Sequence, residues 1–196
     1  MFTGIIEAVG RVAAVKPAGQ SAALTIDAGG LDMSDVAVGD SIACNGVCLT
    51  VTALVPQGFT VDVSQETLRV TSGFGPGTAI NLEKSLRLSD RLGGHLVSGH
   101  VDGVGTVTAV KPVDGNREIV VRFPAELARY IARKGSIAIN GVSMTVNVVT
   151  TDTLSVNLIP HTLAETNLKD LKQGDRVNLE IDLVARYVER MLGQST

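Results

Sequence analysis

Ser41-Ile42-Ala43-Cys44-Asn45-Gly46-Val47-Cys48-Leu49-Thr50-Val51 decides the fold, because it returns 95 residues later as Ser136-Ile137-Ala138-Ile139-Asn140-Gly141-Val142-Ser143-Met144-Thr145-Val146. In each copy Asn-Gly separates two alternating runs. A two-residue type I′ turn needs positive φ at both central positions, which Asn-Gly supplies. That turn predicts the register: Cys44 opposite Val47, Ala43 opposite Cys48, Ile42 opposite Leu49, and Ser41 opposite Thr50. Opposed residues share a face of the sheet, as do alternate residues along a strand. Ile42, Val47, Leu49 and Val51 therefore point to the core, and Ser41, Cys48 and Thr50 project from the other face. Ser136, Ser143 and Thr145 project likewise in the second copy.

The repetition extends outward in both directions. Thr3–Val12 returns as Ser98–Val107, Phe59–Val63 as Leu154–Leu158, and Asn81-Leu82-Glu83 as Asn178-Leu179-Glu180, the last at a shift of 97. Two long copies are not a solenoid, whose short units must stack at least threefold. They predict a duplicated domain. A chain of 196 residues accommodates two domains of about 90 to 100 residues. We expect one unit over 1–90, a second over 91–181, and a terminal helix over 182–196.

Valine, isoleucine, threonine and 21 glycines in short alternating runs predict an all-β protein. The expected strands of the first copy are Ile5–Val15, Ala22–Asp27, Asp40–Cys44, Val47–Val55, Phe59–Ser64 and Thr78–Glu83. Those of the second are Val101–Val110, Arg117–Phe123, Ser136–Ile139, Val142–Val149, Leu154–Leu158 and Arg176–Ile181. Six short strands per unit fit a small closed Greek-key barrel, which leaves no exposed edges. Lys84–Leu96 reads as the linker between the two tandem six-stranded barrels. Pro124–Lys134, with Pro at its start and Gly135 beyond its end, predicts a helix. So does Asp182–Gly193, with Asp182 as N-cap and an apolar stripe at 183/184, 187/188 and 191/192. The stripe suits either packing on its own barrel or an oligomer contact, and periodicity does not separate the two.

Hydrophobic residues are 44% and charged residues 19%, as in a globular protein. The net charge of -3 is scattered, which argues against nucleic-acid or anionic-membrane surfaces. No apolar run approaches the roughly 20 residues of a membrane span. The opening Met1-Phe2-Thr3-Gly4 lacks the features of a signal peptide, so a cytoplasmic protein is expected. Cys44 and Cys48 then remain thiols. Without neighbouring histidines they make no zinc site.

Alternating antiparallel strands ordinarily turn a polar face to water. Such faces are usually rich in Lys and Glu, whereas these carry small hydroxyl, thiol and amide groups, suited to a flat polar ligand. The next strand continues the pattern, with Thr60, Asp62 and Ser64 outward. His95 and His100 stand five apart, which matches no helical metal-ligand spacing. His100 replaces Ile5 between copies, and His161 stands at the place of Glu66, giving one half acid–base options that the other lacks. Cys48 replaces Ser143, and a thiol of ordinary pKa near 8.5 is only slightly ionised at neutral pH. Walker, Rossmann and triad signatures are absent from the sequence.

Met1-Phe2-Thr3-Gly4-Ile5-Ile6, Asn45-Gly46-Val47-Cys48-Leu49-Thr50-Val51, Gln65-Glu66-Thr67-Leu68, Gly93-Gly94-His95-Leu96-Val97-Ser98-Gly99-His100 and Ile159-Pro160-His161-Thr162-Leu163 closely resemble the riboflavin synthase family, in order and over nearly the whole chain. The resemblance implies two lumazine-binding barrels per subunit and a homotrimer. Its reaction is a dismutation of two 6,7-dimethyl-8-ribityllumazine molecules without cofactor or metal. The site it implies lies between the N-terminal barrel of one subunit and the C-terminal barrel of the next.

On that basis the N-terminal half-site comprises Gly4, Ile5, Ile6, Cys48, Leu49, Thr50, Asp62, Val63, Ser64, Gln65, Glu66 and Thr67. The C-terminal half-site comprises Gly99, His100, Val101, Lys134, Ser143, Met144, Thr145, Asn157, Leu158, Ile159, Pro160, His161 and Thr162. The catalytic candidates are Phe2, Ser41, Cys48 and Thr50 on one side and His100, Ser143 and Thr145 on the other. Antenna-type proteins resembling the same double barrel bind one chromophore and do no chemistry. Their second half is expected to lose polar groups, whereas Ser143, Thr145 and Asn157 are present here.

Overall fold

The computed structural model describes residues 1–193; the last three positions of the expected terminal segment, 194–196, lie outside the described residues. The first copy forms β1 (Ala8–Ala18), β2 (Ser21–Asp27), β3 (Ser41–Cys44), β4 (Val47–Val55), β5 (Gly58–Val63), α1 (Gln65–Val70) and β6 (Ala79–Lys84). These strands close into a barrel in the order β1-β2-β5-β4-β3-β6. The second copy forms β7 (Gly103–Val113), β8 (Asn116–Arg122), β9 (Ser136–Ile139), β10 (Val142–Thr145), β11 (Val148–Val149), β12 (Thr153–Leu158), α2 (Pro160–Glu165) and β13 (Arg176–Ile181), followed by α3 (Leu183–Leu192).

Both Asn-Gly hairpins have the predicted register. Ser41 pairs with Thr50 and Ala43 with Cys48; Ser136 pairs with Thr145 and Ala138 with Ser143. All four turn residues have positive φ, from 47° to 80°. The inward faces supply two separate cores. Ile42, Cys44, Leu49, Phe59 and Leu82 belong to the first, and Ile137, Ile139, Met144, Leu158 and Leu179 to the second. A bulge interrupts β1/β2 between Val12 and Ala14, and the equivalent bulge interrupts β7/β8 between Val107 and Ala109. Bulges increase the local twist, which small barrels need in order to close.

The expected second barrel departs at one place. The predicted strand Val142–Val149 is split into β10 and β11, which are the two ends of a seven-stranded curled sheet. They are joined through Val146-Asn147, where Val146 turns fully into the core and its amide donates to Gly135 O at 3.0 Å. The chain thus brings the sheet's ends together without a continuous ladder.

Two other expectations change. Ile5–Val15 and Val101–Val110 begin as strands only at Ala8 and Gly103, because the preceding residues cross to the other barrel. The helix expected over Pro124–Lys134 is a single 3₁₀ stretch, Ala125–Tyr130. Ile131 is already extended and Lys134 has φ of +66°. Burial of Leu127 and Ile131 holds the stretch, and left-handed backbone at Lys134 cannot continue a helix.

The barrels meet at their hairpins. Asn81 Nδ2 donates to Asn140 O and Asn178 Nδ2 to Asn45 O, each at 2.9 Å. Asn45 Oδ1 accepts from Asn81 N at 2.9 Å and Asn140 Oδ1 from Asn178 N at 2.8 Å. At the centre the two turns touch: a Cβ on Gly46 would lie 2.7 Å from Gly141 N, and the converse distance is the same. Gly46→Ala or Gly141→Ala combines that clash with left-handed strain of about 1–2 kcal/mol. Each should lower the urea midpoint of unfolding, while Gly19→Ala, with open space around it, should lower it less. Equal shifts would mean that the hairpin tips are not in contact.

Candidate functional site

The segments that precede β1 and β7 build the site. Each is tied to a buried carboxylate of its own copy. Thr3 N and Thr3 Oγ1 donate to Glu83 Oε1 at 2.6 and 2.7 Å, and Gly4 N to Glu83 Oε2 at 2.9 Å. Ser98 N and Ser98 Oγ donate to Glu180 Oε1 at 2.6 and 2.7 Å, and Gly99 N and His100 N to Glu180 Oε2 at 2.9 and 3.1 Å. Burial raises the pKa of both carboxyls and the converging donors oppose that rise.

From there each segment crosses to the other hairpin. Ser143 N donates to Gly4 O and Cys48 N to Gly99 O, both at 2.8 Å. Gly4 and Gly99 have φ of +75° and +80°, and a Cβ on either would lie 2.6 Å from the Cβ of Ser143 or Cys48. Ile6 then packs on the second core and Val101 on the first. The resemblance places Gly4–Ile6 with the first half-site and Gly99–Val101 with the second; within this chain each segment lies against the hairpin of the other copy. Gly4, Ile5 and Ile6 line one cleft with Ser143, His161 and Thr162 of the second copy, while Gly99 and Val101 accompany Cys48 of the first.

The remaining candidates fall into three groups. Thr50, Asp62, Ser64, Gln65, Glu66, His100, Lys134, Thr145, Ile159, Pro160 and His161 are exposed; Ser41, Cys48, Thr67, Ser143, Asn157 and Thr162 are half-buried. Leu49, Val63, Met144 and Leu158 are core side chains, which leaves only their backbone for a ligand. Phe2 is 0% exposed and packs with Ala43, Val97 and Ala138 between the barrels. It supports the Cys48 face and cannot itself touch a ligand. Ser41 opens on a charged recess beside Asp35, Lys84 and Arg87, where Lys84 Nζ lies 2.8 Å from Asp35 Oδ1. Ser64 Oγ caps α1 by accepting from Thr67 N at 3.1 Å, and Glu66 pairs with Arg69 at 2.7 Å.

His95 is the residue that spacing failed to place. Its Nδ1 lies 2.7 Å from Ser143 Oγ, and its ring is 8% exposed. Burial lowers its pKa, with Asp182 opposing. Its Nε2 has no hydrogen-bond partner among the described residues. The preceding Gly94 was the available signal: a Cβ there would meet Thr3 O at 2.1 Å and Ser143 Cβ at 2.8 Å. The Ser143 face can therefore move a proton between hydroxyl and imidazole, and the Cys48 face offers a thiol beside Thr50. Among the described residues, no three His, Cys, Asp or Glu side chains are grouped to hold a metal.

The lumazine binding domain family matches this chain twice, over residues 3–85 and 98–182. Riboflavin synthase of Photobacterium leiognathi is 46% identical over 194 residues, 98% of this chain and 89% of that protein. The Bacillus subtilis (strain 168) riboflavin synthase is 42% identical, covering 98% of this chain and 90% of that protein. The chain belongs to the riboflavin synthase family. Each matched unit opens on a crossing segment and contains the carboxylate that holds it. The crystal structure of LumP complexed with riboflavin shares the fold at a TM-score of 0.86, with 24% identity over 92% of this chain and 99% of that chain.

A histidine held below its ordinary pKa of 6.5 takes up its proton in the unfolded chain first. The stability it contributes is thus complete above that pH and is lost as pH falls from 6.5 through the folded-state pKa. His95→Gln should flatten the loss of stability between about pH 7.5 and 5.5 in urea titrations. Parallel wild-type and variant curves would contradict a buried neutral His95.

Proposed function

We propose that the protein is a riboflavin synthase. Two molecules of 6,7-dimethyl-8-ribityllumazine exchange a four-carbon unit, giving riboflavin and 5-amino-6-ribitylamino-uracil. The observation that carries this reading is 42–46% identity to riboflavin synthases over 98% of the chain, across two barrels that each present a small-polar face. The atoms of two substrates equal those of the two products, so the exchange needs no external oxidant or reductant.

One ring loses a proton from its C7 methyl, and the anion is delocalised over the ring. The other ring is activated at C7 by a nucleophile. Because the substrate stabilises its own anion, the protein needs no strong base. Its main work is to hold two rings at close range, where proximity contributes about 7–11 kcal/mol. In this reading Ser143, with His95 behind it, serves the ring on the second-copy face. Cys48 and Thr50, with Gly99 and His100, serve the ring on the first-copy face. Oriented donors stabilise charge developing on the ring carbonyls.

Two lumazines must meet, and each face of one chain is built around a different hairpin. We therefore favour a homotrimer, with each site joining the Cys48 face of one subunit to the Ser143 face of the next. In α3, Val184, Tyr187, Val188, Met191 and Leu192 are exposed on the helix, which suits a subunit contact. Among the described residues no helix is long and apolar enough to cross a membrane. A biosynthetic enzyme with two free thiols fits a cytoplasmic setting.

Incubation with the lumazine should yield one fluorescent riboflavin for every two substrates consumed. Binding without product would instead assign a chromophore carrier. Ser143→Ala and His100→Gln should each lower kcat by about 10²–10⁴ if they move protons in the transition state. Unchanged turnover in both would remove them from the chemistry. Deleting 183–196 should shift sedimentation from trimer to monomer, and an unchanged trimer would place the contact elsewhere.

A further inference from the structure

We propose that Glu83 and Glu180 are crossed positioning residues, each carboxylate setting the geometry of the ligand face on the opposite barrel. The proposal rests on the reading above, that the Cys48 and Ser143 faces each hold a lumazine.

The connections are short and continuous. Glu180 on β13 accepts four hydrogen bonds from Ser98, Gly99 and His100, and Gly99 O in turn accepts from Cys48 N of the first barrel. Glu83 on β6 accepts three from Thr3 and Gly4, and Gly4 O accepts from Ser143 N of the second barrel. The contact leaves no slack, since the missing Cβ of Gly99 or Gly4 falls 2.6 Å from the facing Cβ. A displacement of the segment must therefore displace the residue it covers.

The residue type matters as well. Oε2 of each glutamate receives only backbone N–H groups. Glutamine keeps the shape but can put an amide nitrogen against one set of those donors. Both oxygens can be satisfied only by a carboxylate.

The rival reading is that each glutamate merely stabilises its own barrel. The two differ in which variant disturbs Cys48, because Glu83 shares a barrel with Cys48 and Glu180 does not. Alkylation of the full-length protein by iodoacetamide, followed cysteine by cysteine by peptide mass spectrometry, separates them. Cys44 is 0% exposed and reports opening of the whole barrel. E180Q should raise the Cys48 rate about tenfold, the worth of one buried hydrogen bond to a charged group, without raising that of Cys44. E83Q should raise the Cys48 rate several-fold less than E180Q does, because Glu83 reaches Cys48 only through Ala43 and the Phe2 cluster and not through the Gly99 contact. E83Q should instead shift the ring signals of His95, beside Ser143, in NMR spectra, and by more than E180Q does.

Cys48 accelerated by E83Q and not by E180Q, or by neither, or only together with Cys44, would overturn the proposal. Where a glutamine variant does not fold, Ser98→Ala and Thr3→Val each remove one bond to the same carboxylates and should give the same crossed pattern with smaller effects. A parallel labelling of wild type with the lumazine tests the underlying reading separately. Failure of the lumazine to protect Cys48 would refute a ligand at that face while leaving the crossed linkage standing. Protection without the crossed pattern would refute the linkage alone.

Discussion

A carboxylate withdrawn from water destabilises a fold unless donors converge on it. Glu83 and Glu180 meet that requirement with backbone amides and one hydroxyl apiece, all from the segments that precede β1 and β7. Those amides are then unavailable to a ladder, so the strands start late, at Ala8 and Gly103. The segments lie instead in the crevice between barrels, where each closes on the opposite hairpin. Phe2 and Val97 pair there and fill the apolar middle of the contact with Ala43 and Ala138.

The same crevice contains the paired Asn-Gly turns and their amide ring. Asn167 adds to it, donating to Asn45 Oδ1 and accepting from Asn81 Nδ2, each at 2.9 Å. An unpaired buried amide is costly, so such a ring favours one relative placement of the barrels. The consequence for chemistry is that two similar faces are presented with fixed separation and orientation. They differ where it counts for proton transfer: Ser143 touches a buried imidazole, whereas the Cys48 amide donates to Gly99 O and its side chain packs against Phe2, Ala43, Val97 and Ala138.

Much of this was legible in the sequence. Asn-Gly between alternating runs specified the hairpin register residue by residue, and with it the outward placement of Ser41, Cys48, Thr50, Ser143 and Thr145. The terminal helix was legible too, its Asp182 cap accepting from Val184 N at 2.9 Å. These features depend on neighbours a few residues apart. The grouping of half-sites was not legible, because Gly4 meets Ser143 across 139 positions and nothing in local pattern encodes that meeting. Nor was the burial of Phe2, or the pairing of His95 with Ser143. The 3₁₀ stretch at Ala125–Tyr130 misled for a related reason, since tertiary burial of Leu127 and Ile131 overrode a helix-like composition.

By itself, then, the sequence determined the duplication, most of the strands, the register of both hairpins and the chemical character of the two faces, since turn geometry and side-chain alternation act over short distances. Only the tertiary structure decided which leading segment serves which face. That choice follows from where two buried carboxylates find their donors and where two glycines allow one backbone to lie against another, and both depend on residues far apart in the chain.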